Sequence, residues 1–222
     1  RDRYIIADGS IFRGLANSFF IMIAGTVVNM AFTTTLAYPL SKSNLKGRNV
    51  VLNVIIVTML FSGGMIPNYL VVKGLGLLDS YWALMLPGAV NAFNLIIVKN
   101  FFQELPHELE EAARIDGCSD VGIFAKIILP LSKPVISALG IFTAVGTWND
   151  YTQTLYYTKS ADIQTLSYYM LSITKASASA ASLGETMSAG ASSVLTTMSN
   201  SAANYKTIEL ACMVLSALPL II

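Results

Sequence analysis

The residues able to do chemistry are few, and most of them stand in one stretch. Of 222 residues, 12% are charged and 54% hydrophobic. The carboxylates Glu104, Glu108, Glu110, Glu111, Asp116 and Asp120 all fall between Gln103 and Lys126, together with Arg114 and the single histidine, His107. These types do not make a reaction centre. His107 has no Cys or His co-ligands to hold a metal, and no Ser/His/Asp set can be assembled around it, so it reads as a polar surface residue. No G-x-x-x-x-G-K-[ST] run is present, so the chain carries no phosphate loop of that type. Net charge is +1 and no basic face is visible, which argues against a nucleic-acid binder. Cys118 follows the acidic cluster and Cys212 sits in the last apolar run. A pair so placed would be separated by most of a bilayer, so both are expected as free thiols.

The acids must be held by what surrounds them. A soluble domain carries about a quarter charged residues. Half of that, with a raised apolar share, indicates a membrane protein. Gly14 to Leu40 is the first long apolar run, with a charge-free core from Phe19 to Ala37. About 20 such residues cross a hydrocarbon layer of roughly 30 Å. Gly25, Asn29, Thr33, Thr34 and Thr35 thread through it. Small and hydroxyl residues allow close helix packing in lipid, and packing reads them better than pore lining does. Ser41 to Asn49 brings Lys42, Lys46 and Arg48 with no acid, which marks a cytoplasmic loop. The first span therefore runs from outside to inside.

Val50 to Val72 is the second expected span. Ser62-Gly63-Gly64 and Pro67 interrupt it, as in a helix that ends early and re-enters the interface. Lys73 to Ser80 is an outer turn. Tyr81 to Phe102 is the third span, containing Pro87-Gly88, Asn91 and Asn94, with Lys99 placed to snorkel at its inner end. Leu129 to Thr147 is the fourth, closed by Trp148-Asn149-Asp150-Tyr151 at the level of an aromatic belt. Thr152 to Asn204 reads as an external excursion, Ser/Ala/Thr-rich from Thr174 to Ala203. Tyr205 to Ile222 opens a fifth, inward span, with Glu209 as an interfacial acid. The expected fold is an all-α polytopic transmembrane helical bundle. The chain starts at Arg1-Asp2-Arg3 and stops in the apolar run Leu220-Ile221-Ile222, so truncation at both ends is expected.

The acidic stretch then becomes a cytoplasmic device. Pro106 suits a first helical position, where its missing N–H costs nothing. Glu108, Glu110 and Glu111 crowd the first turns, where the helix dipole favours acids. Leu105, Leu109, Ala112, Ala113 and Asp116 fall at helical spacing, with Ala112 and Ala113 as a small flat patch. Gly117 suits the left-handed stop, and Ser119 or Asp120 would cap a second helix from Val121 to Ile128. Leu129-Pro130 is expected to bend that helix into the membrane. The product is a helix–turn–helix elbow over 103–128.

Glu111-Ala112-Ala113, three residues, Gly117, nine residues, then Ile127-x-Leu129-Pro130 resembles the EAA loop of binding-protein-dependent ABC importer permeases. Ile115-Asp116-Gly117, Leu131 and Lys133-Pro134 resemble the carbohydrate-uptake, maltose-permease-type branch. Phe61-Ser62-Gly63-Gly64-Met65-Ile66-Pro67 and Leu86-Pro87-Gly88-Ala89 are similar to the LplC/YtcP-like oligosaccharide permeases within it. The resemblance covers essentially the whole chain. It implies a single permease domain of the type I importer fold, with five spans here of a usual six, in a bacterial or archaeal cytoplasmic membrane. It implies that Glu111, Ala112, Ala113, Arg114, Asp116, Gly117, Leu129 and Pro130 couple to a cytoplasmic ATPase, with Glu111 as its salt-bridge or cap residue. The implied partners are a second homologous permease, an ATPase dimer that holds the ATP and Mg, and an extracellular solute-binding protein delivering a carbohydrate. The chain itself would hold no cofactor or metal.

Sugars are read by amides, hydroxyls and aromatic faces, which makes Asn91, Asn94, Trp148, Asn149, Asp150 and Tyr151 candidates for the substrate path. Packing or interface anchoring reads each of them as well. Two other functions stay open. One is a secondary transporter or channel, against which the near absence of intramembrane acids argues. The other is a membrane scaffold with no flux.

Overall fold

The computed structural model describes residues 10–61 and 63–175, and every regular element among them is helical. The chain divides into two compact units, one of residues 20–147 and one combining 1–19 with 148–222. The expected fifth span, Glu209, Cys212 and nearly all of the Ser/Ala/Thr-rich stretch lie outside the described residues.

Among the described residues, helix α1 (Ser10–Ser41) is the one continuous helix long and apolar enough to cross a membrane, over Phe12–Ser41. Its polar thread is used for packing. Asn29, Thr33 and Thr34 are buried while Thr35 is exposed. Asn29 Nδ2 donates to Gly88 O at 2.6 Å, and Thr34 Oγ1 donates to Met30 O at 2.7 Å. A hydroxyl returned to its own helix in this way needs no outside partner.

Helices α2 (Arg48–Leu60) and α3 (Met65–Gly74) form a pair bent by 118° at a short break, a broken span or re-entrant loop as expected from the Gly-rich interruption. The third expected span is not one helix. It consists of α4 (Tyr81–Met85) and α5 (Ala92–Glu104), with Leu86 to Asn91 between them. Pro87 supplies no N–H to the ladder, and Asn91 restarts it, its Oδ1 accepting from Phe93 N at 2.9 Å and Asn94 N at 3.2 Å. Neither piece alone reaches a spanning length.

Helix α6 (His107–Ile115) and helix α7 (Asp120–Leu131) form the elbow, and α8 (Lys133–Asn149) follows. The α7–α8 pair is a second broken span, bent by 75°. The bend sits at Ser132, two residues beyond the expected Leu129-Pro130. The cause is Pro134, which cannot donate to the carbonyl of Pro130 and whose ring crowds it. Pro130 acts earlier. Ahead of it the ladder widens into a π turn at Phe124–Ile128, with Leu129 N bonded to Phe124 O. Such single π turns inside α-helices are frequent at functional sites.

The core of the 20–147 unit is one cluster. Met30 and Ala37 of α1 meet Val98 and Phe102 of α5, Ala113 of α6, Ile123 and Ile128 of α7, and Leu139 of α8. Each large side chain so buried is worth about 1.5–3 kcal/mol. The elbow is thus an extension of this core rather than a loop hung from it.

In the other unit, α9 (Thr152–Tyr157), a 3-10 turn at Ala161–Ile163 and a helix over residues 166–175 pack with the start of α1. Ser18 Oγ accepts from Leu166 N at 2.8 Å, and Asn17 Nδ2 donates to Asp162 O at 2.6 Å. A Cβ on Gly14 would stand 2.9 Å from the Tyr169 ring, so glycine permits that close approach. The described part of the expected excursion is therefore ordered.

Candidate functional site

The elbow is built by its caps. Pro106 precedes the first helical residue rather than occupying it, with φ −58 and ψ 125. At the other end Gly117 takes φ +80, the left-handed region. Cys118 N donates to Ala113 O at 2.9 Å and Gly117 N to Arg114 O at 3.0 Å. This is the paired Schellman arrangement, which satisfies carbonyls a helix end otherwise leaves open. Two residues on, Ser119 Oγ accepts from Gly122 N at 3.2 Å and caps α7. Arg114 Nη2 reaches Asp120 Oδ1 at 3.0 Å across the turn. The Asp120 carboxylate, by that hydrogen bond and by its charge, holds the Arg114 guanidinium above its ordinary pKa.

The two faces of α6 differ. Glu108, Glu111, Ala112 and Ile115 are all exposed and stand at i, i+3, i+4 and i+7, one stripe of a helix. Ile115 is 86% exposed, and Val121 on α7 is 75% exposed. Glu110 and Ala113 point the other way and are buried. The expected flat patch of Ala112 and Ala113 is therefore split. Ala112 belongs to the outward surface, and Ala113 packs among Phe102, Ile123 and Ile128 in the core. Its size matters inward, where a larger side chain would push α6 off the bundle. Glu111 makes no hydrogen bond or ion pair among the described residues, and Asp116 is exposed beside Gly117. Leu129 is half-buried and Pro130 exposed just past the π turn. Cys118 is a half-buried free thiol against the core.

The substrate-path candidates fare unevenly. In the 20–147 unit, the amide oxygen of Asn91 serves as the cap of α5. Asn94 Nδ2 donates to Thr143 Oγ1 of α8 at 3.3 Å and is half-buried. In the other unit, Trp148 is buried rather than at an interface, its ring edge-to-face with Phe19 at 5.6 Å. Asp150 Oδ1 accepts from Thr152 N at 2.8 Å, tying the start of α9. Asn149 and Tyr151 are exposed. Asn91, Asn94, Trp148 and Asp150 thus each have a structural contact within their own unit.

Sequence reasoning missed one contact. Glu110, read only as a first-turn acid, is ion-paired with Lys42, read only as a marker of the cytoplasmic side. Lys42 Nζ also lies 4.6 Å from the Tyr38 ring centre. The helical wheel gives only the need for a cation, not which one. Glu110 shares its face with Ala113, and a buried carboxylate needs a cation.

The chain matches the family described as binding-protein-dependent transport system inner membrane component over residues 30–203. It is 48% identical over 219 residues to protein LplC of Bacillus subtilis, covering 99% of this chain and 70% of that protein. It is 56% identical over 160 residues to the polygalacturonan/rhamnogalacturonan transport system permease protein YtcP of the same organism, covering 72% of this chain and 56% of that protein. A crystal structure of a bacterial ABC transporter involved in the import of the acidic polysaccharide alginate contains a chain of similar fold. That match has a TM-score of 0.79 at 30% identity and covers 96% of this chain and 72% of the other. A chain helical throughout its described elements, with this elbow and these relatives, belongs to the binding-protein-dependent transport system inner membrane component family, and is a permease subunit of an ABC importer rather than an enzyme.

Proposed function

We propose that the chain forms half of the pore of an importer for a sugar or oligosaccharide, and that a separate ATPase docks on the outward face of α6. The observation carrying this is the stripe of Glu108, Glu111, Ala112 and Ile115, exposed on a helix that is otherwise capped, ion-paired and packed into the core. A rigid helix with an unused acid and an uncovered isoleucine suits a partner cleft carrying a cation and an apolar floor. The chain has no phosphate loop, so ATP and Mg belong to that partner. In this reading α6 and its turn face the cytoplasm, and the bent pairs together with α4 and α5 are broken spans in a five-span portion of a six-span subunit. A second homologous permease completes the pore, and an extracellular binding protein delivers the solute.

The relatives' names support a substrate class. Two of them are named for polygalacturonan/rhamnogalacturonan and for alginate. Oligosaccharides bearing uronate groups are accordingly the first class to offer, with a neutral oligosaccharide of the same length as the contrast.

The deciding experiment is Glu111→Lys in the assembled importer. Membrane insertion and abundance stay at the parent level, ATP-driven uptake falls to background, and ATP hydrolysis no longer responds to the loaded binding protein. Normal uptake in this variant would overturn the reading. Uptake that persists without any ATPase and follows an ion gradient would replace it with a secondary transporter.

A further inference from the structure

The C-terminal end of α1 is held from several directions at once. Arg48 Nε, at the start of α2, donates to Leu40 O at 2.8 Å. Gln103 Nε2, near the end of α5, donates to Ser41 O at 3.2 Å. Both carbonyls belong to the last turn, which has no helical donors of its own. One residue on, Lys42 pairs with Glu110 of α6. The side chain of Glu110 is 9% exposed and that of Lys42 is 23% exposed. The ring of Tyr38 lies under the Lys42 ammonium and packs at 5.0 Å against Phe124, the first residue of the π turn, and at 6.4 Å against Phe102 of α5.

These contacts tie the start of α2, the end of α5 and both halves of the elbow to residues 38–42. They differ in kind from the Arg114–Asp120 bridge, whose partners are both exposed and which joins only the two sides of one turn. A half-buried ion pair over an aromatic ring resists being pulled apart, because separation would leave the buried Glu110 carboxylate unpaired.

We infer that Lys42 and Glu110 are positioning residues for the transport cycle, a strut that makes α1 move with α6 when the elbow is displaced. This rests on the elbow being driven by an ATPase, as proposed above. Neither residue needs to touch sugar or ATPase. The elbow pushes, the strut carries the displacement into the long helix α1, and the pore responds. Without the strut the elbow would still be formed by its own caps, and it would still present Glu111 and Ile115 to a partner. Hydrolysis would continue while import lagged behind it.

The test uses the whole importer in proteoliposomes, with both permeases, the ATPase pair and the binding protein. Lys42→Met, Glu110→Gln and Lys42→Arg are compared with the parent for sugar imported per ATP hydrolysed and for ATPase retained per permease. Lys42→Met and Glu110→Gln are expected to retain the ATPase and lose about tenfold in import per ATP, a coupling change of ordinary size. Lys42→Arg keeps the charge and the ring contact and should stay within about twofold of the parent. The inference is overturned if Glu110→Gln imports as much per ATP as the parent. It is equally overturned if Lys42→Met and Lys42→Arg both shed the ATPase, since the pair would then serve assembly alone. A parent complex whose uptake ignores ATP sinks the functional reading first, and the strut with it. A coupled parent with coupled variants sinks the strut alone.

Discussion

In the 20–147 unit, helices break at Gly117 and at Gly64, two of its glycines with positive φ, and the two breaks are treated in opposite ways. At Gly117 the break is closed from within. Backbone bonds from Gly117 and Cys118, the Ser119 cap and the Arg114–Asp120 bridge hold it, and Ala113, Ile123 and Ile128 anchor both flanks in the core. At Gly64, before α3, no side chain caps the helix, and α2 on the other side buries none of its residues. Val50, Val54, Val57, Met59 and Leu60 are all large, apolar and exposed. The elbow carries its own shape, and can pass a push on without deforming. The α2–α3 break is held by little among the described residues, and α2 leaves its apolar side chains uncovered there. In the importer proposed above, a stiff break would suit the point where force enters and an adaptable one the point where the membrane is met.

The largest expected contrast is in packing. Ile128 is 1% exposed and at the centre of the elbow's anchorage, whereas Val54 of α2 is 57% exposed. Ile128→Ala should destabilise the solubilised subunit by about 2–5 kcal/mol, the range for emptying a core position. Val54→Ala should stay within about 0.5 kcal/mol. Thermal unfolding of the two variants side by side checks this. Equal losses would mean that the elbow is no better anchored than α2, and the comparison would fail.

A second contrast separates stability from function. Gly117 has φ +80, and Gly64 has φ 83 with ψ 173, a region that is essentially glycine-only. A Cβ at either position meets nothing within 4 Å, so the penalty of alanine is backbone strain alone. It should be about 1–2 kcal/mol at Gly117 and about 1–3 kcal/mol at Gly64. Import per ATP should nevertheless fall further for Gly117→Ala, because strain there re-aims Glu111 and Ile115. Matched unfolding and transport assays decide it, and a larger coupling loss at Gly64 would move the coupling device away from the elbow.

What could be read in advance was local. Gly117 as a stop, Ser119 as a cap and the acids of the first turn are marked by side chains that act within a few residues of themselves. The charge-free run of α1 needed only composition. Three features were not legible, each for a physical reason. Leu86 to Asn91 is as apolar as its flanks, so hydropathy did not show that Pro87 breaks the ladder or that Asn91 is a cap. The bend at Ser132 depends on what Pro134 denies to a carbonyl four residues back, while Pro130 drew attention to itself. The Lys42–Glu110 pair joins residues 68 positions apart, and no local spacing encodes a partner at that distance. The substrate path suffered most, because an asparagine that caps a helix and one that binds sugar look the same in a sequence.

The smallest expected effect is the most discriminating for the elbow's internal construction. Arg114 and Asp120 are both exposed, and exposed pairs usually gain little over their hydrated forms. Arg114→Gln leaves the Schellman bonds, the Ser119 cap and the buried anchors in place. The unfolding midpoint should therefore be unchanged, and its response to added salt should match the parent's. If Arg114 acts in coupling, import per ATP should still drop, because a charge next to Glu111 and Asp116 would be lost from the face offered to the ATPase. A fall in the midpoint that disappears at high salt would show that the turn leans on this bridge. The contrast with Gly64 would then rest on a surface charge pair rather than on caps and core.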